Sequence, residues 1–206
     1  MKSSLFTLLF FLLGCLVGTS FMVEFDVHQL SLYVLYILML FLGMNLGGNQ
    51  NFKDFASVLQ FRVLLLPIAT VSGTFLFSAI AAFFLSRWSA FDCMAVGSGF
   101  ACYSVSSILI TQLKSPSLGV QLATELGTIA LLSNIFRELF SLIGAPLTRK
   151  MFGYFAPISA AGVGSADIAL QMVAKYSGKE AIPIAVLHGL LINISTPFFV
   201  SLFCKM

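Results

Sequence analysis

The stretch GVQLATELGTIALLSNIFRELFSLIGAPL, residues 119–147, decides the fold. It is long and apolar enough to cross a bilayer, because about 20 residues of helix span the hydrocarbon core. Its interior nevertheless carries Glu125, Arg137 and Glu138, with Ser133, Asn134 and Ser141 beside them. An ionised side chain at the centre of a membrane helix costs about 2.5–3.5 kcal/mol on insertion scales. Such groups persist where they face a partner, a cavity or a transported solute. At about 100° per residue, Asn134, Glu138 and Ser141 share one helix face, and Ser133 and Arg137 lie on the neighbouring one. That polar stripe in greasy sequence points to a solute pathway.

Composition places the rest of the chain in the same class. Of the 206 residues, 59% are hydrophobic and 9% charged, where a soluble domain carries about 25% charge; mean hydropathy is +1.00. The apolar runs are near membrane length and separated by short polar breaks, so the expected fold is all-α and polytopic. A net charge of +3, scattered along the chain, gives no footing for nucleic acid. Cys15, Cys93, Cys102 and Cys204 show neither CxxC nor His/Cys ligand spacing, so no metal and no cofactor is expected.

Upstream of the central stretch, residues 1–22 have a basic start and an apolar core. They read as a retained first helix rather than a signal peptide or a lipobox ending at Cys15. A second span covers 30–46, followed by an amphipathic surface segment, NFKDFASVLQFR, at 51–62. The third span, 63–85, contains Pro67, where a kink is expected. Two further membrane-length runs are rich in glycine. In 93–113, Gly97 and Gly99 precede Tyr103 and Ser104; in 151–175, Gly162, Gly164 and Ser165 precede Asp167. Glycine costs about 1 kcal/mol per residue in a helix. These runs are therefore either sites of close helix packing or unwound crossings whose freed backbone lines a cavity. The last span, 184–203, contains His188, Asn193 and Pro197. Together these make about seven transmembrane or re-entrant helices in a single membrane transport domain, 1–206. Strict alternation from a cytoplasmic N-terminus puts Lys2, Lys53, Arg62, Lys114, Lys175 and Lys179 inside. Arg87, Arg149, Lys150 and Lys205 then fall outside, a weak positive-inside bias.

Glu138 and Asp167 are the carboxylates best placed for transport. A buried carboxyl can hold a proton or a cationic solute in turn. The competing reading is a static ion pair with Arg137, which cannot deprotonate. Glu125 stands near the start of its segment and reads as interfacial. His188 could relay protons or simply bridge two helices. No catalytic set is present: GVGSA lacks the order and the preceding strand of a hydrolase GxSxG.

In the patches LFLGMNLG, GSGFACYSVSSILIT, NIFREL, GVGSADIALQ and IPIAVLHGLLI, the chain resembles the bacterial lysine exporter (LysO) family along nearly its whole length. The resemblance implies export of L-lysine and its toxic analogue thialysine across the inner membrane, by exchange with protons. Acidic residues implied in transport fall at Glu138 in NIFREL and Asp167 in GSADIAL. It also implies extra hydrophobic segments ahead of the region matched here. These are supplied by a separate small membrane protein, or the chain self-assembles. The readings left beside lysine/proton antiport are a carrier of another cationic amino acid, a non-transporting membrane subunit, and an intramembrane enzyme. The expected substrate and coupling residues are Glu138, Asp167, Arg137, Asn134 and His188. The glycine breaks are expected to add Gly97, Gly99, Tyr103, Ser104, Gly162, Gly164 and Ser165 as lining.

Overall fold

The computed structural model describes residues 61–206, together with four helical positions further upstream, Tyr33, Ile37, Leu40 and Met44. The expectations for residues 1–22, for most of the span at 30–46 and for the surface segment at 51–60 lie outside the described residues. Among those described, all regular structure is helical: α1 (Phe61–Ala82), α2 (Ala90–Gly97), α3 (Tyr103–Leu118), α4 (Val120–Ile143), α5 (Ala145–Phe152), α6 (Ala156–Ala161), a 3₁₀ turn at Gly162–Ala166, α7 (Leu170–Ser177), a 3₁₀ turn at Lys179–Ala181 and α8 (Ile182–Cys204). Three of these are long and apolar enough to span a membrane, within Val63–Ala82, Val120–Ile143 and Lys179–Cys204.

The two glycine-rich runs are broken, but neither is a crossing. Each goes in and comes back. At the ends of α2 and α3, Lys114 Nζ lies 2.7 Å from Asp92 Oδ1, both side chains buried. Trp88, Met94, Leu113 and Leu118 pack into one apolar cluster with Leu126, Val200 and Phe203. The start of α2, the end of α3, the start of α4 and the end of α8 therefore share one face of the molecule. The second run behaves the same way at the opposite face. There Ser177 Oγ donates to the Tyr154 carbonyl at 2.9 Å, and Arg149 Nε to the Tyr176 carbonyl at 3.2 Å. Ile158 and Val173 pack with Ala181, Ala185 and Leu66, at the beginnings of α8 and α1.

The chain thus contains two re-entrant hairpins, α2/α3 and α6/α7, entering from opposite faces and each followed by a full span, α4 or α8. The second set runs in the reverse sense of the first. This is the inverted-repeat logic by which carriers place irregular backbone at mid-membrane depth. It corrects the reading of the glycine runs as crossings, and with it the alternating charge assignment. Arg87 and Lys114 lie on the same face, as do Arg149, Lys150, Lys175 and Lys179. Hydropathy counts length and greasiness; it cannot tell a helix that continues from two half-helices that turn back.

The central helix also ends earlier than its composition suggests. Gly144 closes α4, and Pro146 occupies the first turn of α5, where its missing N–H costs nothing. Pro67 sits inside α1.

Sided labelling checks this topology. In a cysteine-free background, single cysteines at Ser89 and Ser117 should react with an impermeant maleimide from one side of the membrane. Cysteines at Gly153 and Gly178 should react only from the other side. Opposite sidedness within either pair would restore the crossings.

Candidate functional site

The two hairpin tips meet. Val163 N–H donates to the Phe100 carbonyl at 2.9 Å, so a peptide group freed by one break satisfies one freed by the other. The contact requires glycine next door: a Cβ on Gly162 would stand 2.4 Å from the Phe100 oxygen, and its φ of 59° lies in the left-handed region. Phe100 and Ala101, with φ of 46° and 75°, make the reversal of the first tip. Side chains rarely adopt that conformation without support.

The support comes from α4. Asn134 Oδ1 accepts from Ala101 N–H at 2.8 Å. Its amide nitrogen donates to the carbonyls of Val96 (3.2 Å) and Ala130 (2.8 Å). One turn on, Arg137 donates from Nε to the Ala160 carbonyl, from Nη2 to the Ser159 carbonyl and from Nη1 to Thr74 Oγ1, each at 3.3 Å. Its guanidinium lies 5.6 Å from the centre of the Phe100 ring, within cation–π range. A cation at the last carbonyls of α6 also suits the negative end of that helix. Asn134 thus secures the first tip and Arg137 the second. Among the described residues the ion pairs are Arg87–Glu125, at 2.9 Å and partly exposed, and Lys114–Asp92. Arg137 is held by carbonyls, a hydroxyl and an aromatic ring, whereas Glu125 lies in an interfacial pair.

His188, 1% exposed, bridges two elements. Its Nε2 is 3.0 Å from Thr70 Oγ1 on α1, and its Nδ1 is 3.1 Å from Ser165 Oγ at the second tip. Ser165 Oγ lies also within 2.8 Å of the Gly162 carbonyl and 2.9 Å of that of Ala185. Both side chains are enclosed by protein and lie outside the cavities described next.

Among the described residues, an open groove of about 590 Å³ runs along α1 past Thr70, Thr74, Ser159 and Ala160, and two more enclosed cavities flank the tips. One, of about 290 Å³, is lined by Arg137, Asn134, Ser133, Thr74, Ser78 and Gly97, and continues past Leu126 to Leu85 and Trp88. It leads from the tips toward the face carrying the 83–89 loop. The other, of about 190 Å³, is lined by Glu138 and Asp167 together with Tyr103, Ser104, Gly164 and Asn193. Arg137 and Glu138, neighbours in sequence, therefore belong to different cavities, because consecutive helical residues point about 100° apart. The structure brings Glu138, Asp167, Tyr103, Ser104 and Gly164 together; Arg137, Asn134 and Gly97 line the other side. Gly99 and Gly162 lie in the tips between them. Among the described residues, the lining of the acidic cavity contains no Lys, Arg or His.

The family model for the lysine exporter LysO matches residues 8–204. The chain belongs to the lysine exporter LysO family. That family is one of transporters rather than enzymes, and the chain is a multi-pass protein of the inner membrane. A Haemophilus influenzae protein described as a candidate lysine exporter is 30% identical over 174 residues, covering 84% of this chain and 83% of its own length. The lysine exporter LysO of Escherichia coli K12 is 26% identical over 177 residues, covering 85% of this chain. This chain spans 55% of the length of that E. coli relative. No solved structure matches.

Asn193, Thr70, Thr74 and the Asp92–Lys114 pair were not among the site residues expected from sequence. A lone Asn or Thr in an apolar helix was the available signal, but it does not say which cavity or which partner.

The glycines at the tips differ in what surrounds them, and this can be tested. A Cβ on Gly99 would lie 2.3–2.7 Å from the amide group of Asn134, whereas one on Gly164 would meet nothing within 4 Å. Gly99→Ala should lower membrane abundance severalfold. Gly164→Ala should leave abundance unchanged, and Gly164→Leu should leave abundance near parental while stopping transport by filling the acidic cavity. Quantitative immunoblots beside efflux assays give both readouts.

Proposed function

We propose that this protein exports L-lysine and its analogue thialysine from the cytoplasm in exchange for protons, with the acidic cavity as the solute site. The observation that carries the reading is the convergence of Glu138 from α4 and Asp167 from the second hairpin on one cavity that, among the described residues, no cationic side chain lines. Lysine brings two ammonium groups and one carboxylate, so its site needs net negative charge. Two carboxylates at mid-membrane depth supply it, and in the absence of solute they can take up protons instead. Asp167, next to the tip and exposed, is suited to bind an ammonium. Glu138, on the unbroken α4 and half-buried, is suited to hold and release the proton.

The second cavity supplies the other half of a path. It approaches Arg137 from the face of the 83–89 loop, and the joined tips stand between it and the carboxylates. Alternating access then amounts to movement of the tips relative to α4 and α8. Charge favours one orientation. Among the described residues, Arg149, Lys150, Lys175 and Lys179 lie toward one face and Arg87, Lys114 and Lys205 toward the other, so the positive-inside rule favours the first face as the cytoplasmic one.

Efflux from cells loaded with a lysyl dipeptide tests the function. It should be run with and without the remaining family segments supplied as a separate membrane protein, since the E. coli relative is matched over only 55% of its length. Asp167→Asn should cut lysine and thialysine efflux at least about tenfold, equivalent to 1.4 kcal/mol. Glu138→Gln should abolish efflux or free it from the pH gradient. Parental efflux from both variants at normal membrane abundance would contradict the reading and favour a non-transporting subunit.

A further inference from the structure

The acidic cavity leaves a question of charge. Asp167 suits an ammonium group of lysine and Glu138 the proton exchanged for it, but the solute's α-carboxylate would enter a cavity already lined by two carboxylates. Arg137, the nearest intramembrane cation in sequence, is turned to Thr74, Ser159 and Ala160 and does not line this cavity. The carboxylate therefore has to be met by neutral donors.

The cavity offers two kinds. Tyr103 and Ser104, at its wall, are the first residues of α3, a helix of 16 residues that opens without a side-chain cap. Its first backbone bond closes from Ser106 N–H to the Cys102 carbonyl, so the amides of Tyr103 and Ser104 have no acceptor within the helix. Free amides and the positive end of the helix dipole together attract an anion. Across the cavity stands Asn193 of α8, 8% exposed. Its side-chain amide makes no hydrogen bond among the described residues. A polar side chain enclosed to that degree ordinarily has a partner, and here it faces the cavity.

We infer that the amides opening α3, with the side-chain amide of Asn193, form a carboxylate subsite that makes this carrier select amino acids over plain diamines. This rests on the acidic cavity being the lysine site. The first hairpin then grips the carboxylate end of the solute, and the second, through Asp167, an ammonium. One bound molecule would tie both tips together.

The test is binding of radiolabelled L-lysine to the full chain in membrane vesicles, with three competitors: unlabelled lysine, lysinamide and 1,5-diaminopentane. The diamine keeps two ammonium groups and lacks the carboxylate; lysinamide keeps the backbone and lacks its charge. For the parental protein, lysine should compete at least about tenfold better than either, the difference expected from charged hydrogen bonds lost in an enclosed site. Asn193→Ala should weaken lysine at least about fivefold while changing diaminopentane less than about twofold. Asn193→Asp, similar in size but anionic, should reverse the order and prefer the diamine, a gain that misfolding cannot produce. If the parental protein binds lysine but treats lysinamide and diaminopentane as its equals, or if both variants keep the parental order, the carboxylate subsite is wrong and the acidic cavity stands. If the parental protein binds neither lysine nor the diamine, the acidic cavity itself falls as the lysine site, and the subsite with it.

Discussion

The described part of this molecule depends on how the backbone groups freed at the two hairpin tips find partners. Each unpaired peptide group in the hydrocarbon region costs several kcal/mol. The tips solve this partly between themselves, through the bond from Val163 to Phe100. The remainder falls to two side chains one turn apart on α4. Asn134 spans the first tip from Val96 to Ala101, and Arg137 gathers the last carbonyls of α6. Because these side chains come from the helix between the two hairpins, α4 serves as a spine against which both tips are registered.

That arrangement accounts for the electrostatics around it. Placing Arg137 toward the carbonyls of α6 turns the next residue, Glu138, away from it and into company with Asp167. On the other side of the tips, the wall of Thr74, Ser78, Ser133 and Arg137 is polar without being acidic.

Much of this was legible from the sequence. Asn134, Arg137 and Glu138 stand out because polar side chains are costly in a membrane helix, and the Gly-x-Gly pairs at Gly97 and Gly162 mark the breaks because glycine is a poor helix former. What the sequence did not show is direction. Asp92 and Lys114 read as ordinary flanks of an apolar run; that they lie 2.7 Å apart, folding the run back on itself, is a property of tertiary packing. The same holds for Asn193, an unremarkable amide in an apolar helix until Glu138, Asp167 and Tyr103 are seen around it. His188 was open between relay and bridge, and its two hydroxyl neighbours, Thr70 and Ser165, are those of a bridge between α1 and the second tip.

Solute protection of single cysteines measures most directly whether solute binds in the acidic cavity. In a cysteine-free background, a cysteine at Ile168 would line the acidic cavity and one at Ser133 the opposite cavity. Saturating L-lysine should slow maleimide labelling at position 168 severalfold and leave position 133 unprotected. Protection at 133 without protection at 168 would contradict the account and place the solute with Arg137 instead.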